Sequence, residues 1–223
     1  IIRSEDGGEN WQRAGINSGL HSDALVRTVI NHPKEPHNVF AGTEKGLYKS
    51  VNSGKDWELV DSVLTNNCVW SLAIDKSDPD TMYAGTGTPD PSSIFRSSDA
   101  GKTWEERPVE VAKECPAVGV PRVTGIAIDP DNRQDIWVGF EVDGVRRSTD
   151  GGDTWEKVAT SIPNLDVHNV AVSSGPPKTV VVVVNNDVYT SRDGGHEWKA
   201  VGIKDVFPMT YPRGILVKPD DPQ

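Results

Sequence analysis

Five copies of one octapeptide constrain this chain more than any other feature of its 223 residues. They read S-E-D-G-G-E-N-W from Ser4 to Trp11, S-V-N-S-G-K-D-W from Ser50 to Trp57, S-S-D-A-G-K-T-W from Ser97 to Trp104, S-T-D-G-G-D-T-W from Ser148 to Trp155 and S-R-D-G-G-H-E-W from Ser191 to Trp198. Their tryptophans step by 46, 47, 51 and 43 residues, a length that suits a four-stranded propeller blade. Each full repeat has the same grammar. An alternating run such as Val123–Ile128 leads through an Asp-Pro turn at Asp129-Pro130 to an apolar run at 136–139, then to Gly144–Ser148, the octapeptide, and Trp155–Val158. These are four short strands, the last two joined by the octapeptide. Helical periodicity is never sustained for more than a turn or two, so the fold class is all-β, a β-propeller of four-stranded antiparallel blades.

The octapeptide carries the chemistry of a turn. A side chain at Asp6, Asn52, Asp99, Asp150 or Asp193 can accept hydrogen bonds from backbone N–H groups two residues on, and glycine in the fifth position permits positive φ. Trp11, Trp57, Trp104, Trp155 and Trp198 close the unit by packing into the blade. Each turn has few free carboxylates and one copy replaces Asp by Asn52, so no metal is expected at the boxes. No cofactor is expected either. His32 and His37 lack a third partner and read as a surface turn.

This pattern resembles the Asp box, or bacterial neuraminidase repeat, of sialidases, xyloglucan-cleaving glycosidases, the sortilin luminal domain and the photosystem II assembly factor. The resemblance covers the whole chain. It implies that the box is a structural element lying away from any active site, and it favours an extracytoplasmic or secreted protein.

Composition narrows the partners. Lys and Arg number 23 against 33 Asp and Glu, and the resulting charge of −10 repels phosphate backbones, which argues against a nucleic-acid partner. The longest aliphatic run, Val180–Val184, is far short of the roughly twenty residues of a membrane helix, so no membrane span is expected. Cys68 and Cys115 are too few for a disulfide framework and are expected to be free thiols. Residues 1–4 have none of the regions of a signal peptide, so any targeting information is expected outside this segment.

The expected organisation is a single propeller domain over 1–223. Full blades fall at 21–64, 65–110, 111–162 and 163–205, with half-blades at 1–20 and 206–223. Such a set fits a five-bladed ring or part of a six- to eight-bladed one, the larger ring being preferred.

Function is expected on the face opposite the boxes, where the variable connectors meet. Superposing the starts of the first strands gives one tier of Ala24, Cys68, Arg122, Asp166 and Tyr211, a second of Val26, Trp70, Thr124, His168 and Arg213, and a third of Arg27, Ser71, Gly125, Asn169 and Gly214. The candidate ligand-binding residues are therefore Trp70, Arg122, His168, Tyr211, Arg213, Arg27 and Asp166, with Arg27 on the opposite side of its strand from Arg122 and Arg213 by parity. Arg122 and Arg213 are expected to be available to an anionic or polyhydroxyl group, and removing both is expected to cost little stability.

Two readings stand. The first is a non-catalytic propeller holding a protein, peptide or glycan at the channel mouth. The alternative is a glycoside hydrolase, sialidase-like or using another carboxylate pair, although the Arg-Ile-Pro signature of sialidases is absent.

Overall fold

The computed structural model describes residues 1–14, 16–21, 23–116, 118–208 and 211–217. Its strands are β1 (Ile2–Arg3), β2 (Gln12–Arg13), β3 (Val26–Asn31), β4 (Val39–Thr43), β5 (Gly46–Ser50), β6 (Glu58–Leu59), β7 (Val69–Ile74), β8 (Met82–Thr86), β9 (Ile94–Ser97), β10 (Glu105–Arg107), β11 (Val123–Asp129), β12 (Asn132–Phe140), β13 (Gly144–Ser148), β14 (Glu156–Val158), β15 (Val167–Val172), β16 (Val180–Val184), β17 (Asp187–Ser191) and β18 (Lys199–Ala200). They form four antiparallel four-stranded sheets in chain order, β3–β6, β7–β10, β11–β14 and β15–β18, preceded by the two-stranded sheet β1–β2. Among the described residues, helical structure is limited to 3-10 turns at Ile16–Ser18 and Ile203–Asp205.

Burial is greatest at the second strands and least at the outer ones. The second strands β4 and β8 are buried throughout, whereas the exposed residues of β6, β10, β14 and β18 form the outer edge. Neighbouring blades meet through a repeated contact. A Cβ at Gly42, Gly85 or Gly139 would lie 2.8, 2.2 or 2.5 Å from the Cγ1 of Val69, Val123 or Val167, the opening valine of the next blade. Glycine is required there because the blades pack to interior density and leave no room for a methyl group. Ser71 Oγ also donates to Val123 O at 2.7 Å, and Thr124 Oγ1 to Val167 O at 2.6 Å, across the same seams.

The Asp boxes join the third strand to the fourth in every blade. In each, the Ser Oγ donates to the Asp or Asn Oδ1 at 2.7–3.0 Å. The same Ser Oγ accepts from the glycine N–H four residues on at 2.8–2.9 Å. Two successive residues adopt left-handed φ. Ser53 and Ala100 do so at +60° and +59° without being glycine, a strain that the hydrogen-bonded box holds in place. The bonds of Thr103 and Thr154 to Asp99 and Asp150, and of Asn10 to Asp6, hold these carboxyls down at about 2. Three boxes lean on the first turn of their own blade, Ser53 N–H to His37 O at 2.8 Å, Ala100 N–H to Asp80 O at 3.0 Å and Gly151 N–H to Gln134 O at 2.9 Å. His32 is part of that turn, its Nδ1 accepting from Glu35 N–H at 2.9 Å.

Two expectations need correction. Trp57 and Trp104 are buried at 3 % and 6 % exposure, but Trp11 is 59 % exposed. Its sheet has two strands, so no inner strands exist among the described residues for the ring to pack on. Second, the strand expected near 214–217 is not formed, and Leu216 is 94 % exposed. No second strand pairs with this segment, and Val183 of β16 stands where Gly42, Gly85 and Gly139 admit the next blade's valine. The remainder of the expected half-blade, at 209–210 and 218–223, lies outside the described residues.

Candidate functional site at the channel mouth

The inner strands β3, β7, β11 and β15 each begin with the same irregularity. Val26, Val69, Val123 and Val167 pair with the second strand, the next residue is skipped, and pairing resumes at Thr28, Ser71, Gly125 and Asn169. This is a β-bulge, which inserts one residue and re-aims its side chain. The skipped residues are Arg27, Trp70, Thr124 and His168, one from each blade. Arg27 therefore stands level with Trp70 and His168, not one step further along as the sequence superposition has it. The parity assignment for Arg27 also fails, since its guanidinium lies over the Trp70 ring at 4.1 Å from the centroid and Arg122 lies over the same ring at 4.8 Å.

Arg27, Trp70, Thr124, His168, Glu141 and Arg213 line one concavity of about 290 Å3 on the face away from the boxes. Its walls are braced from below. Trp70 Nε1–H donates to Thr88 O at 3.1 Å, and Asp90 Oδ2 accepts from Cys68 N–H at 2.6 Å, so the loop 86–93 fixes the ring. Thr88 and Ser92 hydroxyls donate in turn to the carbonyls of Val120 and Pro121, tying that loop to the connector before β11. Arg122 Nη1 donates to Glu141 Oε2 at 2.6 Å, with the Glu141 side chain 8 % exposed. Arg122 is thus already neutralised, which corrects the expectation that it is freely available.

His168 is 5 % exposed. Its Nδ1 is 2.7 Å from Pro212 O, which it reaches as a donor, while Nε2 faces Asp166 Oδ1 at 3.5 Å; neither of these last two atoms has a hydrogen-bond partner. Asp166 Oδ2 accepts from Asn185 Nδ2 at 2.9 Å. Tyr211 packs edge-on to His168 at 4.9 Å and accepts from Arg213 Nη2 at 2.9 Å. Tyr211 and Arg213 are both exposed. All seven sequence-derived candidates therefore lie on or beside this mouth.

Glu141 was not among them. The register shows it level with Glu44, Gly87 and Asn185, just beyond the second strands, so comparing the repeats at that position would have exposed a carboxylate. A larger concavity of about 410 Å3 lies toward the boxes, lined by Leu72, Ile74, Ile126, Ile128 and Val172. Asp75 and Asp129 at its edge cap their own turns through Oδ1, and Lys76, Ser77 and Ser174 line it as well. Cys68 and Cys115 are free, and burial pushes both thiols up.

Repeated boxes, successive four-stranded blades and a polar mouth at the bulged strand starts define an Asp-box β-propeller. Residues 72–210 match the photosynthesis system II assembly factor YCF48 family, and the chain belongs to that family. It is also 33 % identical over 245 residues to the xyloglucanase Xgh74A of Acetivibrio thermocellus, covering 92 % of this chain and 28 % of that protein. In structure it resembles an ancestral GH74 enzyme, with a TM-score of 0.72 at 21 % identity over 90 % of this chain and 28 % of the other. YCF48 bound to a D1 peptide has the same fold, with a TM-score of 0.53 at 17 % identity over 79 % of this chain and 53 % of that one. The chain spans about a quarter of the length of the curated xyloglucanases that it matches.

Proposed function

We propose that this chain holds a plant cell-wall glycan of the xyloglucan class at its channel mouth, as the glycan-binding stretch of a xyloglucanase-type protein. The observation that carries the reading is the single concavity into which Arg27, Trp70, Thr124 and His168 project from four different blades. Polar and aromatic groups converging from separate repeats suit a polyhydroxyl ligand, and no local folding demand explains their meeting. Identity of 26–33 % to xyloglucanases over most of the chain supports the glycan in preference to other ligands.

The reading is one of binding, because Glu141, the carboxylate that lines the concavity, is salt-bridged to Arg122 at 2.6 Å, whereas a general acid must keep its proton until the leaving oxygen takes it.

Titration calorimetry of the chain with a xyloglucan heptasaccharide tests this. Binding is expected, and Trp70→Ala should weaken it at least about tenfold while leaving the fold intact, because aromatic contacts dominate such sites. No heat with this ligand or with other cell-wall oligosaccharides overturns the reading. Membership of the YCF48 family supports a second reading, capture of a peptide, which binding to a peptide panel in place of the glycans would favour.

A further inference from the structure

The Trp70 indole lies between two arginines that reach it from the blades on either side. Arg27 of the first complete blade has its guanidinium carbon 4.1 Å from the ring centroid, and Arg122, at the start of the third, has its own at 4.8 Å. Both could share one face at that range only by bringing like charges together, so they cover opposite faces. The indole N–H is spent as well, on Thr88 O. The ring read above as the main contact for a sugar therefore stands covered on both sides. The two covers are unequal. Arg122 is anchored to Glu141 at 2.6 Å, and that carboxylate is buried. Arg27 is exposed and, unlike Arg3, Arg107, Arg133, Arg146 and Arg147, has no salt bridge among the described residues. Beside it is the Cys68 thiol, a weak acceptor. Arg27 is also the residue that the β3 ladder skips, so its side chain can move without disturbing the pairs at Val26 and Thr28.

We propose that Arg27 is a movable cover on a Trp70 platform: a sugar ring of the bound glycan displaces the guanidinium and packs its C–H face on the indole, while Arg122 holds the opposite face. This rests on the glycan reading above and deepens it, by naming the residue that decides which ligands gain from the site. An exposed guanidinium over an indole is weakly held, so lifting it costs little. Only a ligand with a flat apolar face recovers that cost, because such a face replaces the lost contact with a larger one. The displaced guanidinium swings into water with its donors solvated, so the exchange buries no charge. Free and covered platforms are thus two populations of one site, and the ligand draws on the free one.

The test titrates the neutral xyloglucan heptasaccharide into the parent, Arg27→Ala, Trp70→Ala and the double variant. A cover of the strength usual for an exposed contact leaves the platform open about a sixth to a third of the time, so Arg27→Ala is expected to bind about three- to sixfold tighter than the parent. The double variant should bind no tighter than Trp70→Ala alone, since the cover acts only through the indole. A second measurement needs no ligand. In protein labelled with 5-fluorotryptophan, the Trp70 fluorine signal, identified by its loss in Trp70→Ala, should show a larger shift between light and heavy water in Arg27→Ala than in the parent. Equal or weaker binding by Arg27→Ala, or an unchanged solvent shift, overturns the cover and leaves the glycan reading standing. Absence of binding in all four proteins overturns the glycan reading and the proposal with it.

Discussion

The Arg27 guanidinium carbon lies 4.1 Å from the centroid of the Trp70 ring, joining the first complete blade to the second at the channel mouth. Arg27 is exposed, so the contact is expected to contribute about 0.5–1 kcal/mol. A double-mutant cycle on Arg27→Ala and Trp70→Ala, read by urea denaturation, should return a coupling of that size. A coupling near zero would mean that the two groups merely lie side by side.

Arg122 behaves differently because its partner is buried. Removing it strands the Glu141 carboxylate at 8 % exposure without a counter-charge. Arg122→Ala is expected to cost about 2 kcal/mol or more, and adding Glu141→Gln should restore part of the loss. Stability of the single variant equal to the parent would contradict the pairing.

The seams between blades give a sharper contrast. Gly139→Ala drives a methyl group to 2.5 Å from Val167 Cγ1, whereas Gly214→Ala meets nothing within 4 Å. Overpacking of this kind is expected to cost about 1–3 kcal/mol for the first substitution, and the second should stay within about 0.5 kcal/mol of the parent. Thermal unfolding of the two variants side by side checks the difference.

Acid sensitivity follows from the boxes. The carboxyls of Asp6, Asp99 and Asp150 are held at about 2 in the folded protein against an ordinary 3.8, and hydrogen bonds from Glu197 N–H and Ser191 lower that of Asp193. A depressed folded value means that the stabilisation is present above pH 3.8 and disappears as the pH falls through about 2. Asn52 cannot titrate, so its box contributes nothing to this slope. Melting temperatures recorded from pH 5 to pH 2 should fall less steeply for Asp99→Asn than for the parent; identical slopes would refute the assignment.

The fold was legible because the repeat announces itself five times, and the placing of the boxes between third and fourth strands followed from strand grammar alone. What the sequence concealed was a matter of one residue. The bulge at Arg27 leaves no compositional mark, so matching Val26 to Trp70 instead of to Val69 shifted the first blade by a single step and sent Arg27 to the wrong side. The burial of Trp11 was misjudged for a different reason: a motif specifies its own turn but not whether a neighbouring sheet exists to cover it. Glu141 escaped notice because the position after the second strand holds Glu44, Gly87 and Asn185 in the other blades, which share no single chemistry.

Most hydrogen bonds of the Asp box, Ser to Asp, Asp to backbone and Ser to glycine, are made within its own eight residues. Such a joint transmits little from one end of a blade to the other. The connector between β10 and β11 has consequently been free to grow, from Pro108 to Arg122, while the box a few residues before it keeps the same bonds as its counterparts. A protein built this way can acquire a new ligand by lengthening a loop at one rim, without renegotiating the architecture at the other.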